Sequence, residues 1–312
     1  MNSLLQILGG VAGLTLLYYG AEWLVKGGSA IAVRCKVPPL IIGLTLVAFG
    51  TSAPELFVSL DAALAGKGDI AVGNVVGSNI CNILLILGLS ALISPLGVNK
   101  VLFRRDVPLM ILSSLFITVL CFIQGGIGRV AGMILFAGIV IYTVVGIIEG
   151  RHEASQDAPP EVSISKVMSV VAVVAGLGAL VLGARLLIKA AIFMATSLGV
   201  PDSVIALTVV AIGTSLPELA TSVVAAIKGE ADIAIGNVVG SNIFNILCIL
   251  GLSSIVSPIQ CVGIDAVDFI VMTLTAVVLW PIMKTGLRIS RMEGVFLLLT
   301  YAAYTTWLIY KL

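Results

Sequence analysis

GTSAPE at residues 50–55 and GTSLPE at residues 213–218 are one phrase written twice in a single chain with one letter changed. The same offset of 163 residues lays GNVVGSNICNILLILGLS at 73–90 over GNVVGSNIFNILCILGLS at 236–253 without a gap. It also pairs Asp69 with Asp232, Pro95 with Pro258, Pro38 with Pro201 and Gly20 with Gly183. About two thirds of positions 44–95 match their partners, far more than shared hydrophobicity supplies. The chain is a duplication, and its halves are expected to fold alike.

The solvent of that fold is set by composition. Of the 312 residues, 59% are hydrophobic and 11% charged, with a mean hydropathy of +1.19; a soluble domain carries about 25% charged residues. A spanning helix needs about 20 apolar residues to cross a hydrocarbon core of about 30 Å. Apolar runs bounded by Gly, Pro and charges predict ten such helices, at 3–33, 40–65, 70–95, 107–123, 128–149, 165–196, 203–228, 233–258, 266–283 and 290–310. These runs are apolar all round and lack the alternation of a membrane barrel, so an all-α membrane protein is predicted, with no room for a separate soluble domain. The first twenty residues lack a basic leader region and read as the start of the first span.

One hydrophilic interval, 149–166, contains Arg151, His152, Glu153, Asp157, Pro159, Pro160 and Glu161. It divides the chain into a first five-helix repeat (1–148), a linker (149–165) and a second five-helix repeat (166–312). An odd number of crossings turns the second copy over, giving two inverted repeats, the plan of many secondary transporters, with the site at the midplane where the repeats meet. Loop cations support this topology. Arg34, Lys36, Lys100, Arg104, Arg105, Arg151, Lys166, Lys228, Lys284, Arg288 and Arg291 collect on one side, against Lys67, Arg129 and Lys311 on the other. The linker is therefore expected in the cytoplasm and both termini outside the cell membrane.

The remaining composition excludes more than it suggests. Seventeen basic and 16 acidic residues leave a net charge of +1, which offers nothing to nucleic acid. Cys35, Cys81, Cys121, Cys248 and Cys261 stand singly and read as small hydrophobes, with no disulfide framework. His152 is the only histidine, so a His-ligated metal centre is excluded.

Carboxylates at membrane depth cost about 2.5–3.5 kcal/mol each on insertion scales, and they are functional by default. Glu55 and Glu218 lie near the middle of apolar runs and are images of each other. Pro54 and Pro217 beside them lack an N–H and break their helices, which frees carbonyl oxygens in the stretch holding Ala48, Gly50, Ala211 and Gly213. Thr51, Ser52, Thr214 and Ser215 add hydroxyls on the broken turns. In GNVVGSNxxN, the pairs Gly73/Gly77 and Gly236/Gly240 allow close backbone approach, and Ser78 shares a helix face with Asn82, as Ser241 does with Asn245. Together these groups form an all-oxygen shell suited to a hard cation. Two fixed negative charges would be neutralised by one divalent ion or by several Na⁺, a physical basis for exchange at one shared site. Asn74, Asn79, Asn237 and Asn242 divide between packing and lining. Asp69 and Asp232 read as helix N-caps, and Glu22/Lys26 and Arg185/Lys189 as i,i+4 pairs near an interface.

At these residues the two motif pairs resemble the alpha-repeats of the cation/calcium exchanger superfamily, and in particular its prokaryotic sodium/calcium exchanger members. The resemblance spans essentially the whole chain. It implies Na⁺-driven Ca²⁺ antiport by alternating access, with the first and sixth helices sliding across the bundle that holds the site. It further implies that Glu55 and Glu218 are the central coordinating acids, that Thr51, Ser52, Ser78, Thr214, Ser215 and Ser241 are hydroxyl ligands, and that Ala48 and Ala211 donate backbone carbonyls. Asn82 and Asn245 fill the remaining side-chain positions. Some relatives carry an aspartate where this chain has Asn245; an acid there is associated with K⁺-dependent members, so K⁺ co-transport is not implied. H⁺ in place of Na⁺ is the same-fold alternative, since protons compete with metal at buried carboxylates. A cation channel is the other, although an inverted repeat within one chain is an unusual plan for a pore. Enzyme motifs, whether a histidine-rich metal site, a Ser–His pair or an aspartyl dyad, are missing. The implied partners are Ca²⁺ and Na⁺ as transported ions, H⁺ as the alternative, and membrane lipid, with no resident cofactor. One inverted pair completes the site, so the sequence does not specify an oligomeric state.

Overall fold

A computed structural model describes residues 3–154, 164–199, 211–261 and 264–311. Among the described residues the regular structure is helical apart from two short ribbons. Its helices are α1 (Ser3–Cys35), α2 (Pro39–Thr51), α3 (Ala53–Leu64), α4 (Gly68–Ile93), α5 (Leu102–Gln124), α6 (Arg129–Ala154), α7 (Lys166–Ser197), α8 (Leu216–Ile227), α9 (Ala231–Val256), α10 (Ala266–Lys284) and α11 (Arg291–Tyr310). A short helical turn, Ala211–Gly213, precedes α8. Among the described residues, eight helices are long and apolar enough to cross a membrane, nine when α2 and α3 count as one bent span. The predicted span 203–228 lies partly outside the described residues, and its described part runs from Ala211 through α8.

Sequence explains the breaks. Pro54 cannot donate to the carbonyl four residues back, and α2 meets α3 at a 49° bend across Ser52. Pro217 stands at the same place in α8, after Ser215 with nearly the same backbone angles as Ser52. α9 is buried along its whole apolar length and α4 along most of it, whereas α6 and α11 are largely exposed. Side chains such as Leu112, Phe122, Ile141 and Leu299 point outwards from the peripheral helices, an apolar exterior fit for lipid.

α1 and α7 lie antiparallel with their backbones in contact. Gly13 packs on the backbone of Gly183 and Leu187, Gly20 on Gly176 and Leu180, and Gly27 on Ser169 and Val173. A Cβ at Gly13 would stand 2.8 Å from the Gly183 carbonyl, and one at Gly20 2.9 Å from that of Gly176, so only small residues close this seam.

Two antiparallel ribbons tie the loops. β1 (Leu96–Gly97) pairs with β4 (Arg288–Ile289), and β2 (Gly126–Ile127) with β3 (Ile259–Gln260). Under the repeat β3 is the image of β1 and β4 that of β2, so each ribbon joins loops that are not equivalent. Beyond Pro95 and Pro258 the offset shortens to 162, and there a second matched pair emerges: Tyr142 donates to Asp106 at 3.2 Å and Tyr304 to Asp268 at 2.7 Å.

Several expectations need correction. Cys121 and Cys261 are joined in a disulfide with Cα atoms 5.7 Å apart, so these two are not solitary hydrophobes. Pairing of β2 with β3 brings together residues 140 positions apart, which no local spacing signals. Lys67 and Glu230 take the N-cap positions of α4 and α9, and Asp69 and Asp232 fall inside the first turns, where their charge faces the positive helix end. Glu22 pairs with Lys228 at 2.6 Å across helices, not with Lys26. α6 continues past the linker boundary at 149 to Ala154, because Glu149 pairs with Arg105 and Gly150 packs against Pro38 and Ile41. Asp157, Pro159, Pro160 and Glu161, with Pro201 and Asp202, lie outside the described residues.

Candidate functional site

The two broken spans and the two central helices meet where the repeats face each other. Glu55 follows Pro54 in the first turn of α3, and Glu218 follows Pro217 in the first turn of α8. Both are 1% exposed. Each is reached by a serine of the opposite half: Ser52 donates to Glu218 Oε1 at 2.8 Å, and Ser215 to Glu55 Oε1 at 3.3 Å. The exchange is reciprocal under the repeat, so both acids belong to one interface.

Asparagines hold these turns from behind. Asn74 donates to the Glu55 carbonyl at 3.2 Å and to Ser59 at 3.0 Å, and Asn237 does the same to the Glu218 carbonyl at 3.3 Å and to Ser222 at 2.9 Å. Thr51 donates to Asn237 Oδ1 at 3.1 Å, whereas Thr214, its image, has a buried hydroxyl with no protein partner. The symmetry is broken at that point.

α4 and α9 each widen into a π turn, Asn82–Leu87 and Asn245–Leu250, and each turn starts at the asparagine expected to line the site, Asn82 or Asn245. Wide turns of this kind interrupt the regular ladder and are frequent at functional sites. Asn82 Nδ2 donates to Asn242 Oδ1 at 2.9 Å, and Asn245 Nδ2 to Asn79 Oδ1 at 3.0 Å. Asn79 and Asn242 in turn donate to each other's backbone carbonyls, at 3.3 and 3.2 Å.

Among the predicted site residues, the buried side-chain atoms left without a partner are all oxygens. Glu55 Oε2, Glu218 Oε2, Asn82 Oδ1, Asn245 Oδ1 and the hydroxyls of Ser78, Ser241 and Thr214 are buried and accept or donate nothing within the protein. A buried carboxylate oxygen left unsatisfied is expensive, so an arrangement with one on each repeat calls for a counter-charge. Donors of this type suit a hard cation, not a thiophilic one.

Of the backbone donors expected from sequence, Ala48 is fully buried, and its carbonyl accepts from the Ser52 N–H at 3.0 Å and the Thr51 hydroxyl at 3.3 Å. It is thus engaged on its own turn, in contrast to the freed oxygen that was expected, because the proline removes the donor to Gly50 and not the donor to Ala48. Ala211 opens the described segment before α8. Sequence reasoning placed no definite role on Asn79 and Asn242. Their identity in the two copies of GNVVGSN was the available signal.

Three comparisons bear on this geometry. The profile of a family described as sodium/calcium exchanger protein matches residues 5–148 and 168–310. The sodium/calcium exchanger MaX1 of Methanosarcina acetivorans is 34% identical, over 96% of this chain and 97% of its own. The inner membrane protein YrbG of Escherichia coli is 37% identical, over 80% of this chain and 79% of its own. Among solved structures, the sodium-calcium exchanger NCX_Mj soaked with zero Na⁺ and Ca²⁺ superposes with a TM-score of 0.86 at 33% identity, covering 98% of this chain and 100% of that one.

Proposed function

The chain belongs to the sodium/calcium exchanger protein family, and on that premise we propose that it exchanges Ca²⁺ for Na⁺ across the cell membrane by alternating access. Glu55 and Glu218 coordinate the ions at a site between the repeats. Thr51, Ser52, Ser78, Thr214, Ser215, Ser241, Asn82 and Asn245 supply neutral side-chain oxygens, Ala211 supplies a carbonyl, and Ala48 adds its own once the Thr51 hydroxyl turns from it towards the ion. The observation that carries this reading is the set of buried oxygens without protein partners, drawn from both repeats and including one from each carboxylate.

The coupling follows from charge. Two carboxylates set a charge of −2 in a medium of low polarity, where net charge is costly to move or to leave bare. One Ca²⁺ or several Na⁺ neutralise it, and the two loads exclude each other because they use the same oxygens. An occupied site can then change its exposure, whereas an empty one is held back.

The topology that accompanies this function is ten crossings in two inverted repeats, 1–148 and 166–312, joined by a cytoplasmic linker at 149–165, with both termini outside. The exchanged ribbons support it, since inversion places the loop after the third helix of one repeat beside the loop after the fourth helix of the other. The disulfide agrees, because this orientation puts Cys121 and Cys261 on the outer, oxidising side and leaves Cys35 on the reducing side.

The test is Ca²⁺ uptake into proteoliposomes at clamped potential, driven separately by an outward Na⁺ gradient and an outward H⁺ gradient. Uptake that requires Na⁺ is expected. Uptake driven by H⁺ alone would replace the coupling ion, and uptake indifferent to both gradients would overturn exchange altogether.

A further inference from the structure

The four central asparagines form two relays that run between the repeats, and each has a direction. An amide side chain presents an acceptor at one end and a donor at the other, so its orientation is set by whichever neighbour can play only one part. A backbone carbonyl only accepts. Asn242 meets the carbonyl of Asn79, and it must therefore turn its Nδ2 towards it. That leaves Asn242 Oδ1 facing Asn82, which must answer with its own Nδ2 at 2.9 Å. The Oδ1 of Asn82 is then the end left over, and it is buried without a partner. The second relay runs in the opposite sense, from the carbonyl of Asn242 through Asn79 to Asn245, and ends on the bare Oδ1 of Asn245.

We propose that Asn79 and Asn242 are positioning residues, which force the amides of Asn245 and Asn82 to offer oxygen, and not N–H, to the transported cation. They touch no ion themselves. Without them a site amide could rotate and turn a donor into the cavity, where it would repel the ion. Each relay starts and ends on the same repeat and passes through the other, so the oxygen that one half offers is set by a backbone group of that same half, acting through a side chain of its partner.

This inference rests on the proposed cation site, and the experiment separates the two. Ca²⁺ binding to the purified full-length chain in detergent is measured by isothermal titration, with thermal unfolding as the check on folding. Asn79→Ala is expected to raise the Kd for Ca²⁺ by about tenfold, the effect of losing one hydrogen bond that orients a group towards a charge. A carboxylate shows oxygen whichever way it rotates. Adding Asn245→Asp to Asn79→Ala should therefore restore binding to that of the Asn245→Asp single variant. A purely structural role for Asn79 would leave the double variant as weak as Asn79→Ala. Asn242→Ala with Asn82→Asp is the mirror experiment, available if the first pair does not fold. Unchanged affinity in folded Asn79→Ala and Asn242→Ala, or loss without rescue, overturns the positioning role alone. Absence of Ca²⁺ binding by the unaltered chain overturns the cation site and this inference with it.

Discussion

Glu55 and Glu218 stand alone among the described carboxylates in combining near-complete burial, a serine from the opposite repeat and an oxygen with no partner. Replacing either by glutamine keeps shape and hydrogen-bonding capacity but removes one of the two charges that balance a divalent ion. Glu55→Gln and Glu218→Gln are therefore expected to abolish Na⁺-driven Ca²⁺ uptake in proteoliposomes while leaving the thermal unfolding midpoint within a few degrees of the unaltered chain. Uptake at the normal rate in either variant would remove that carboxylate from the site. That these acids meet the serines of the opposite half was foreshadowed in the sequence, because the duplication repeats both in matched motifs. The partners of Asn79 and Glu22 were not, because Asn242 and Lys228 reach them from the other half of the chain. No local pattern reports a bond whose ends meet only after the halves have docked.

Helices were the easiest feature to foresee, and their interruptions the hardest. Pro54 and Pro217 announced two breaks, but nothing in NILLIL or NILCIL distinguishes a π turn from an ordinary one, since the widening is decided by what packs against it. The shift in offset from 163 to 162 was likewise invisible until the Tyr142–Asp106 and Tyr304–Asp268 bonds aligned the peripheral helices. Glycine, by contrast, was underread: its place in the α1–α7 seam follows from backbone contact and not from helix propensity. Gly20→Val should force the two helices apart, at a cost of about 1–3 kcal/mol for overpacking, and lower the unfolding midpoint of the detergent-solubilised protein. Gly9→Ala on the same helix provides the contrast, since a Cβ there meets nothing within 4 Å. An equal loss in both variants would mean that the seam is not what the glycine protects.

Besides their packed helices and side-chain bonds, the two halves are joined through the 149–165 linker, through the crossed ribbons and through the Cys121–Cys261 disulfide. A single protease site placed in the linker should yield, after cleavage, one band of full mass without reductant and two bands of roughly half mass with it. Separation of the halves without reductant would show that the disulfide does not form in the membrane. That the chain is two copies of one helical plan was readable from the repeat. The covalent link was not, because Cys121 and Cys261 occupy different places in their repeats and carry no shared motif.

Gly13, Gly20 and Gly27 recur every seven residues, a rise of about 10.5 Å along the helix axis. Any smaller slip of α1 along α7 would bring a side chain to a spot where there is room only for hydrogen. The seam works like an engaged clutch: neither helix can travel lengthwise without dragging the other. A displacement begun in one half of the molecule is thereby delivered to the other at full stroke, and the two copies of the ancestral unit, free to diverge in sequence, stay geared to a single movement.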